Sequence, residues 1–247
     1  MTLPSVLQRA LRESRDIVRF LVVAVPAYLA FTTVAFAAYS IPSESMAPTL
    51  EVNDRVLVSK FAYGYSRYAL PLDIGDLAPP SATRFLQQTP RRGDVIVFMH
   101  PQEHKVMIKR LVGLPGDIIE VRDGVLRVNG AAVERTDARA VVRVSHGTGL
   151  ENAMRYRETL PDGVSHTIDE FSDRGAFDAF GPFTVPAHNV FAMGDNRDNS
   201  LDSRWTGMGA VPMENLIGRA EMVYFTMPQL GRQVGVDPRE HRFLRPL

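Results

Sequence analysis

The chain has 247 residues, enough for one large domain or two small ones around a substantial core. Its 28 lysines and arginines balance 28 aspartates and glutamates, which argues against the concentrated basic footprint of a nucleic-acid binder. Without cysteine it has no disulfide scaffold, no thiolate metal site and no cysteine nucleophile.

The first element in chain order is a long apolar run. Arg9, Arg12, Arg15 and Arg19 precede it, no charge occurs between Phe20 and Ser43, and residues 20–39 read FLVVAVPAYLAFTTVAFAAY. Twenty residues at about 1.5 Å each match a hydrocarbon layer of roughly 30 Å. The run predicts a transmembrane anchor over 20–40, in which Pro26 is tolerated. The arginines before it, with none after it until Arg55, put residues 1–19 in the cytoplasm and the rest outside. A buried core helix is one alternative. A cleavable signal peptide is another, since Ala35-Phe36-Ala37 supplies a small-x-small pattern, but the run exceeds the usual apolar region of about 7–15 residues. The reading adopted is an uncleaved anchor.

Beyond it the apolar runs are short and rich in valine and isoleucine. Residues 55–60, 94–99, 106–112, 117–122, 125–128, 183–185, 190–193 and 220–225 predict strands. Asp123-Gly124 and Asn129-Gly130 predict tight hairpin turns. Residues 134–182 are charged, with scattered glycines and weak periodicity, and read as an inserted cap. The fold class expected is mainly β: an antiparallel sheet core from 41–133 and 183–230, the cap at 134–182, a tail at 231–247, and one N-terminal transmembrane helix. Arg239, Arg242 and Arg245 with Phe243 and Leu244 predict a solvated tail, with lipid contact as the alternative.

Four segments hold the residues able to do chemistry: IPSESMAPTL (41–50), GDVIVF (93–98), KRLVGLPGD (109–117) and GDNRDNSLDSR (194–204). Ser43 and Ser45 in a loop bounded by Pro42 and Pro48 could be no more than polar loop residues. Lys109 changes the weighing, because Lys60, Lys105 and Lys109 are the only lysines in a chain otherwise using arginine. Strand alternation aims it with Met107 and Leu111, opposite Arg110. Buried there, its amine would be neutral near physiological pH and could take a serine proton, which arginine cannot do. An edge-strand lysine snorkelling to solvent fits the same segment equally well. Other chemistries fit poorly. The six histidines are scattered, and Pro101 argues for a surface loop rather than a helix pairing His100 with His104. No G-x-S-x-G elbow or S-x-x-K pair occurs, 194–204 lacks EF-hand spacing, and GLPGD is not a phosphate loop.

In order and spacing, the apolar segment, S-x-S-M-x-P-T-L, G-D-V-I-V-F, K-R-x-V-G-L-P-G-D and G-D-N-R-D-N-S-x-D-S-R resemble the bacterial type I signal peptidases, peptidase family S26. The resemblance implies a membrane-bound serine endopeptidase without cofactor or metal, removing N-terminal signal peptides from secreted precursors after small residues. By matching segments, Ser45 would be the nucleophile and Lys109 the general base. Ser43 would complete an oxyanion hole with the Ser45 N–H, and Ser200 would orient the Lys109 amine. Asp195, Asp202 and Arg204 would form a charged support, while Ile41, Met46, Leu50, Val97 and Ile108 would line substrate pockets. The implied partners are precursor proteins and the lipid bilayer, with the catalytic domain on the outer, periplasmic side of the inner membrane. Residues 205–212 depart from the family by a longer link. Competing readings are a specialised pilin or conjugation peptidase of the same family, a self-cleaving repressor, disfavoured by the anchor, and an inactive membrane-tethered β module.

Overall fold

Runs of β-branched residues separated by glycine, asparagine and aspartate turns fold into a largely antiparallel β protein. The structure, a computed structural model, describes residues 5–69, 86–145, 149–172, 174–226 and 243–247. One helix, α1 (Ser5–Val34), precedes the strands. The first strands are β1 (Phe36–Ser40), β2 (Asp54–Ser59), β3 (Val95–Met99) and β4 (Val106–Gly113). Next come β5 (Ile118–Arg122), β6 (Val125–Val128), β7 (Ala131–Ala132), β8 (Glu134–Ser145), β9 (Gly149–Thr159) and β10 (Ser165–Glu170). The last are β11 (Phe180–Thr184), β12 (Asn189–Met193), β13 (Val211–Pro212), β14 (Leu216–Thr226) and β15 (Arg245–Pro246).

The main sheet runs β1-β2-β14-β3-β4-β12-β13, with β15 added beside β14. A smaller sheet, β11-β5-β6-β7, is built on the two predicted hairpins, whose Asp123, Gly124, Asn129 and Gly130 all take positive φ. That is the backbone a tight primed turn requires. One apolar cluster joins Ile41, Met46 and Leu50 to β2, β3 and β14, and thereby seats the loop between β1 and β2 on the sheet. A second lies between the hairpin sheet and β12, and a third holds Ile96, Phe98, Leu111 and Val190.

Three expectations are corrected. The apolar run is not one helix: α1 stops at Val34, and Phe36–Ser40 pairs residue by residue with β2. Phenylalanine and tyrosine favour a strand, alanine does not resist one enough to matter over two positions, and the ladder satisfies their backbone groups. Among the described residues no helix is long and apolar enough to cross a membrane. The second concerns the cap. Its internal structure, which the sequence left open, contains the three-stranded sheet β10-β9-β8, and its expected end at 182 falls inside β11, which pairs with β5. Its strands carry charge on both faces, which hid their period. The third is only the tail's separation from the core: Arg245 and Pro246 pair with Val223 and Met222, and the Leu247 N–H reaches the Glu221 carbonyl. Phe243, Leu244 and Arg245 are exposed; Arg239 and Arg242 lie outside the described residues.

Candidate active site

The serine-bearing loop is fixed from beneath by apolar burial. Ile41, Met46 and Leu50 are buried, and turns closed by Ala47 N to Glu44 O (2.9 Å) and Leu50 N to Met46 O (2.9 Å) shape the chain between them. This leaves Ser43 exposed and Ser45 at 8% exposure, with their hydroxyl oxygens 3.3 Å apart.

Lys109 arrives from β4. It stands opposite Ile96 in the β3–β4 ladder and, as alternation required, shares its face with Leu111 rather than with Arg110. Only 3% exposed, it donates from Nζ to Ser45 Oγ at 2.5 Å. Burial pushes the ammonium down to about 8, against the pull of Asp202 and Asp195 toward the charged form. A chain with few lysines therefore buries one amine against a hydroxyl.

The 194–204 segment wraps this pair. Gly194 is there for space: a Cβ on it would fall 2.2 Å from Ser200 Oγ and 2.4 Å from the Ser45 carbonyl oxygen. Ser200 Oγ, packed beside that point, is buried with no hydrogen-bond partner among the described residues, so the expected bond to Lys109 is not formed. Asp202 accepts from Arg204 Nε (2.9 Å) and Nη2 (2.8 Å) and from the Gly194 N–H (2.9 Å). Asp195 pairs with Arg110 instead, through Nε (2.8 Å) and Nη2 (2.7 Å). Burial alone would raise both carboxyls; the facing guanidiniums hold them below the usual carboxylate range.

The five residues expected to line substrate pockets come together in one apolar cluster. Ile41, Met46, Leu50 and Val97 are buried in it, and Ile108 is half-buried at its edge. His100 is buried in a turn, its Nδ1 accepting from the Gln102 and Glu103 N–H groups, so the histidine serves the turn after β3. Among the described residues, no three His, Cys, Asp or Glu are grouped to hold a metal ion.

Residues 14–225, most of the chain, match the family model described as signal peptidase, peptidase S26. The chain belongs to this family. Among S26 signal peptidases it is similar to signal peptidase I of Rickettsia typhi, 36% identical over 195 residues that cover 76% of this chain and 71% of that one. The match to signal peptidase I of Rickettsia akari has the same identity and coverage. A crystal structure of a signal peptidase I from Enterococcus faecalis V583 aligns over 53% of this chain and 97% of that chain, with 26% identity and a TM-score of 0.33.

This S26 signal peptidase contains residues near the pair that the sequence reading passed over. Asn196 donates its N–H to the Ser45 carbonyl (3.2 Å) and its side-chain amide to the Glu44 carbonyl (3.2 Å). Arg197, wholly buried, pairs through both terminal nitrogens with Glu158 of the cap, and its carbonyl accepts from Arg204 (2.6 Å). Asn196 and Arg197 lay inside a segment already recognised, where a buried arginine among carboxylates was the available signal. Glu158 had none, because only the fold brings β9 to the 194–204 segment.

Proposed function

We propose that this signal peptidase is a membrane-tethered serine endopeptidase in which Ser45 is the nucleophile and Lys109 the general base, cleaving signal-peptide-bearing precursors after small residues. The observation that supports it most is the 2.5 Å approach of Lys109 Nζ to Ser45 Oγ in a site that disfavours the charged amine. Neutral Lys109 accepts the Ser45 proton while Oγ attacks the scissile carbonyl carbon. The Ser45 N–H and the Ser43 hydroxyl donate to the developing oxyanion; one such donor is worth about 3 kcal/mol in comparable sites. The ammonium then returns its proton to the leaving amine, which departs as the C–N bond breaks. Water activated by Lys109 hydrolyses the Ser45 ester. Ser200 turns its unpaired hydroxyl to the Lys109 amine and orients it, and the Asp195–Arg110 and Asp202–Arg204 pairs keep the 194–204 segment in register. Half-buried Ile108 forms the lip of a shallow apolar pocket backed by Ile41, Met46, Leu50 and Val97.

In this reading α1 is the anchor. Most of its described side chains from Phe20 through Phe31 stand outward, among them Phe20, Val22, Val23 and Tyr28, uncovered by any apolar cluster among the described residues. Residues 20–34 span about 22 Å, short of a full hydrocarbon layer, and local thinning with Arg15 and Arg19 reaching to the interface makes up the difference. Phe31, Phe36 and Phe61 contact one another in series where α1 meets the sheet, tilted at 5.7 Å and edge-to-face at 5.5 Å between ring centres. The short connection to Ser45 then holds the site near the bilayer surface, where a precursor's cleavage site emerges, and raises the effective concentration of one for the other. Deleting residues 1–34 is expected to move the protein from the alkali-resistant membrane fraction to the soluble one; continued membrane retention would argue for a different tether.

The direct test of function is processing of a purified model precursor, with the new N-terminus sequenced. Wild type is expected to cut after a small residue with EDTA present, and Ser45→Ala to leave the precursor intact. Cleavage by a folded Ser45→Ala variant, or activity lost in EDTA and restored by zinc, would contradict the mechanism.

A further inference from the structure

The cap is not merely carried by the core; between its buried ionic cluster and the nucleophile stands one residue, Asn196. Asp169, at 0% exposure near the end of β10, accepts from Arg143 Nη1 (2.7 Å) and from Arg155 Nε (2.6 Å) and Nη2 (2.8 Å). Such charge-assisted, forked contacts fix direction as well as distance. The backbone of the same residue brackets Asn196: the Asp169 N–H donates to the Asp195 carbonyl (3.0 Å), and the Arg197 N–H donates to the Asp169 carbonyl (2.9 Å). The two residues form a parallel bridge outside the regular sheets. Asn196 in turn holds the carbonyls of Glu44 and Ser45. Arg143 also grips the other end of the serine loop, with Nη2 2.9 Å from Glu51 Oε2.

We propose that Asp169 is a positioning residue for the reaction, setting the Ser45 loop through Asn196. This rests on Ser45 and Lys109 acting as proposed above. Stability alone is a poor reason for the cluster, since desolvation offsets most of what a buried ion pair gains and apolar residues of equal volume hold surfaces together as well. What three guanidinium contacts on one carboxylate supply is a fixed location for the backbone that carries it. That backbone is the part of the cap that touches Asn196. A cap shifted by a fraction of an ångström would move the Ser45 carbonyl, and with it Oγ, relative to Lys109, whose strand β4 is fixed mainly by its ladders to β3 and β12.

The test uses the full-length enzyme in detergent, with Asp169→Asn measured beside Ser45→Ala. Active sites are counted with a serine-acylating inhibitor, and kcat, KM and the pH midpoint are taken per active site at a temperature well below unfolding. Asp169→Asn is expected to lower kcat about tenfold or more, since displacement of about 1 Å can cost up to about a hundredfold. KM should stay within about twofold and the pH midpoint should not move, because Lys109 keeps its surroundings. An unchanged kcat per active site, whatever the melting temperature, would overturn the positioning role. If Asp169→Asn does not fold, Arg155→Gln decides: it removes two of the three contacts from a partly exposed side chain. A lower kcat at constant KM supports the proposal and an unchanged kcat overturns it. Failure of the underlying mechanism is separately visible, because Ser45→Ala would then retain activity.

Discussion

Replacing Lys109 with alanine is expected to lower kcat/KM for precursor cleavage by about 10⁴-fold, the upper range for removal of a general base. Lys109→Arg should be as inactive, although it preserves charge and length, because a guanidinium does not deprotonate at working pH. Combining Lys109→Ala with Ser45→Ala should cost little more than either alone, the result expected of two groups that act as a unit. In the wild type, activity should rise with pH through about 8 and level above it, following the neutral amine. Stability should separate from catalysis. The folded amine titrates near 8 against 10.5 for a free lysine, so the fold resists protonation and carries a penalty below 8 that disappears as pH rises through 10.5. That gap corresponds to about 3 kcal/mol. Lys109→Met, similar in volume and uncharged, is therefore expected to be inactive yet more stable than wild type at pH 7 by denaturant unfolding. A stable, inactive variant is the signature of a residue kept for chemistry.

Gly194→Ala should produce the other large effect, by crowding. Its methyl would sit 2.2 Å from Ser200 Oγ, which can turn away, but also 2.5 Å from Ser200 Cβ and 2.4 Å from the Ser45 carbonyl, which cannot retreat freely. The Ser45 carbonyl is held by Asn196, while the Gly194 N–H is tied to Asp202 and its carbonyl accepts from Arg197 Nε. Overpacking of this kind costs about 1–3 kcal/mol, and a displaced nucleophile costs about 10²-fold in rate. Gly163→Ala is the control. Gly163 has φ +83° but nothing within 4 Å, so strain costs that variant stability while kcat stays unchanged. Chemical denaturation and kcat measured on both variants separate strain from crowding.

The strands of the main sheet were legible because valine and isoleucine runs ended at turn residues, as in 94–99 against the observed Val95–Met99. Lys109 was legible because lysine is rare here and β4 alternates. Alternation could not tell that Arg110, on the opposite face, would also be buried, because the 194–204 segment covers that face and supplies Asp195. The boundary between α1 and β1 was hidden for a related reason. Apolarity shows that residues 20–39 avoid water, but only the pairing of Phe36–Ser40 with β2 divides them into helix and strand. Asp169 and Glu158 were beyond reach because local pattern carries no information about which arginine, 14 to 39 residues away in sequence, neutralises a buried carboxylate. The candidate site lay in short segments; the scaffold that brings them together lay in long-range pairing.

With only Lys60, Lys105 and Lys109 in the chain, selective ¹³Cε-lysine labelling yields three lysine signals, and Lys109→Arg assigns one by its disappearance. Titrating that signal by NMR measures the amine itself, independent of substrate. The expected midpoint is about 8, matching the rise of kcat/KM. A midpoint near 10.5, the value of a lysine in water, would contradict Lys109 as the base.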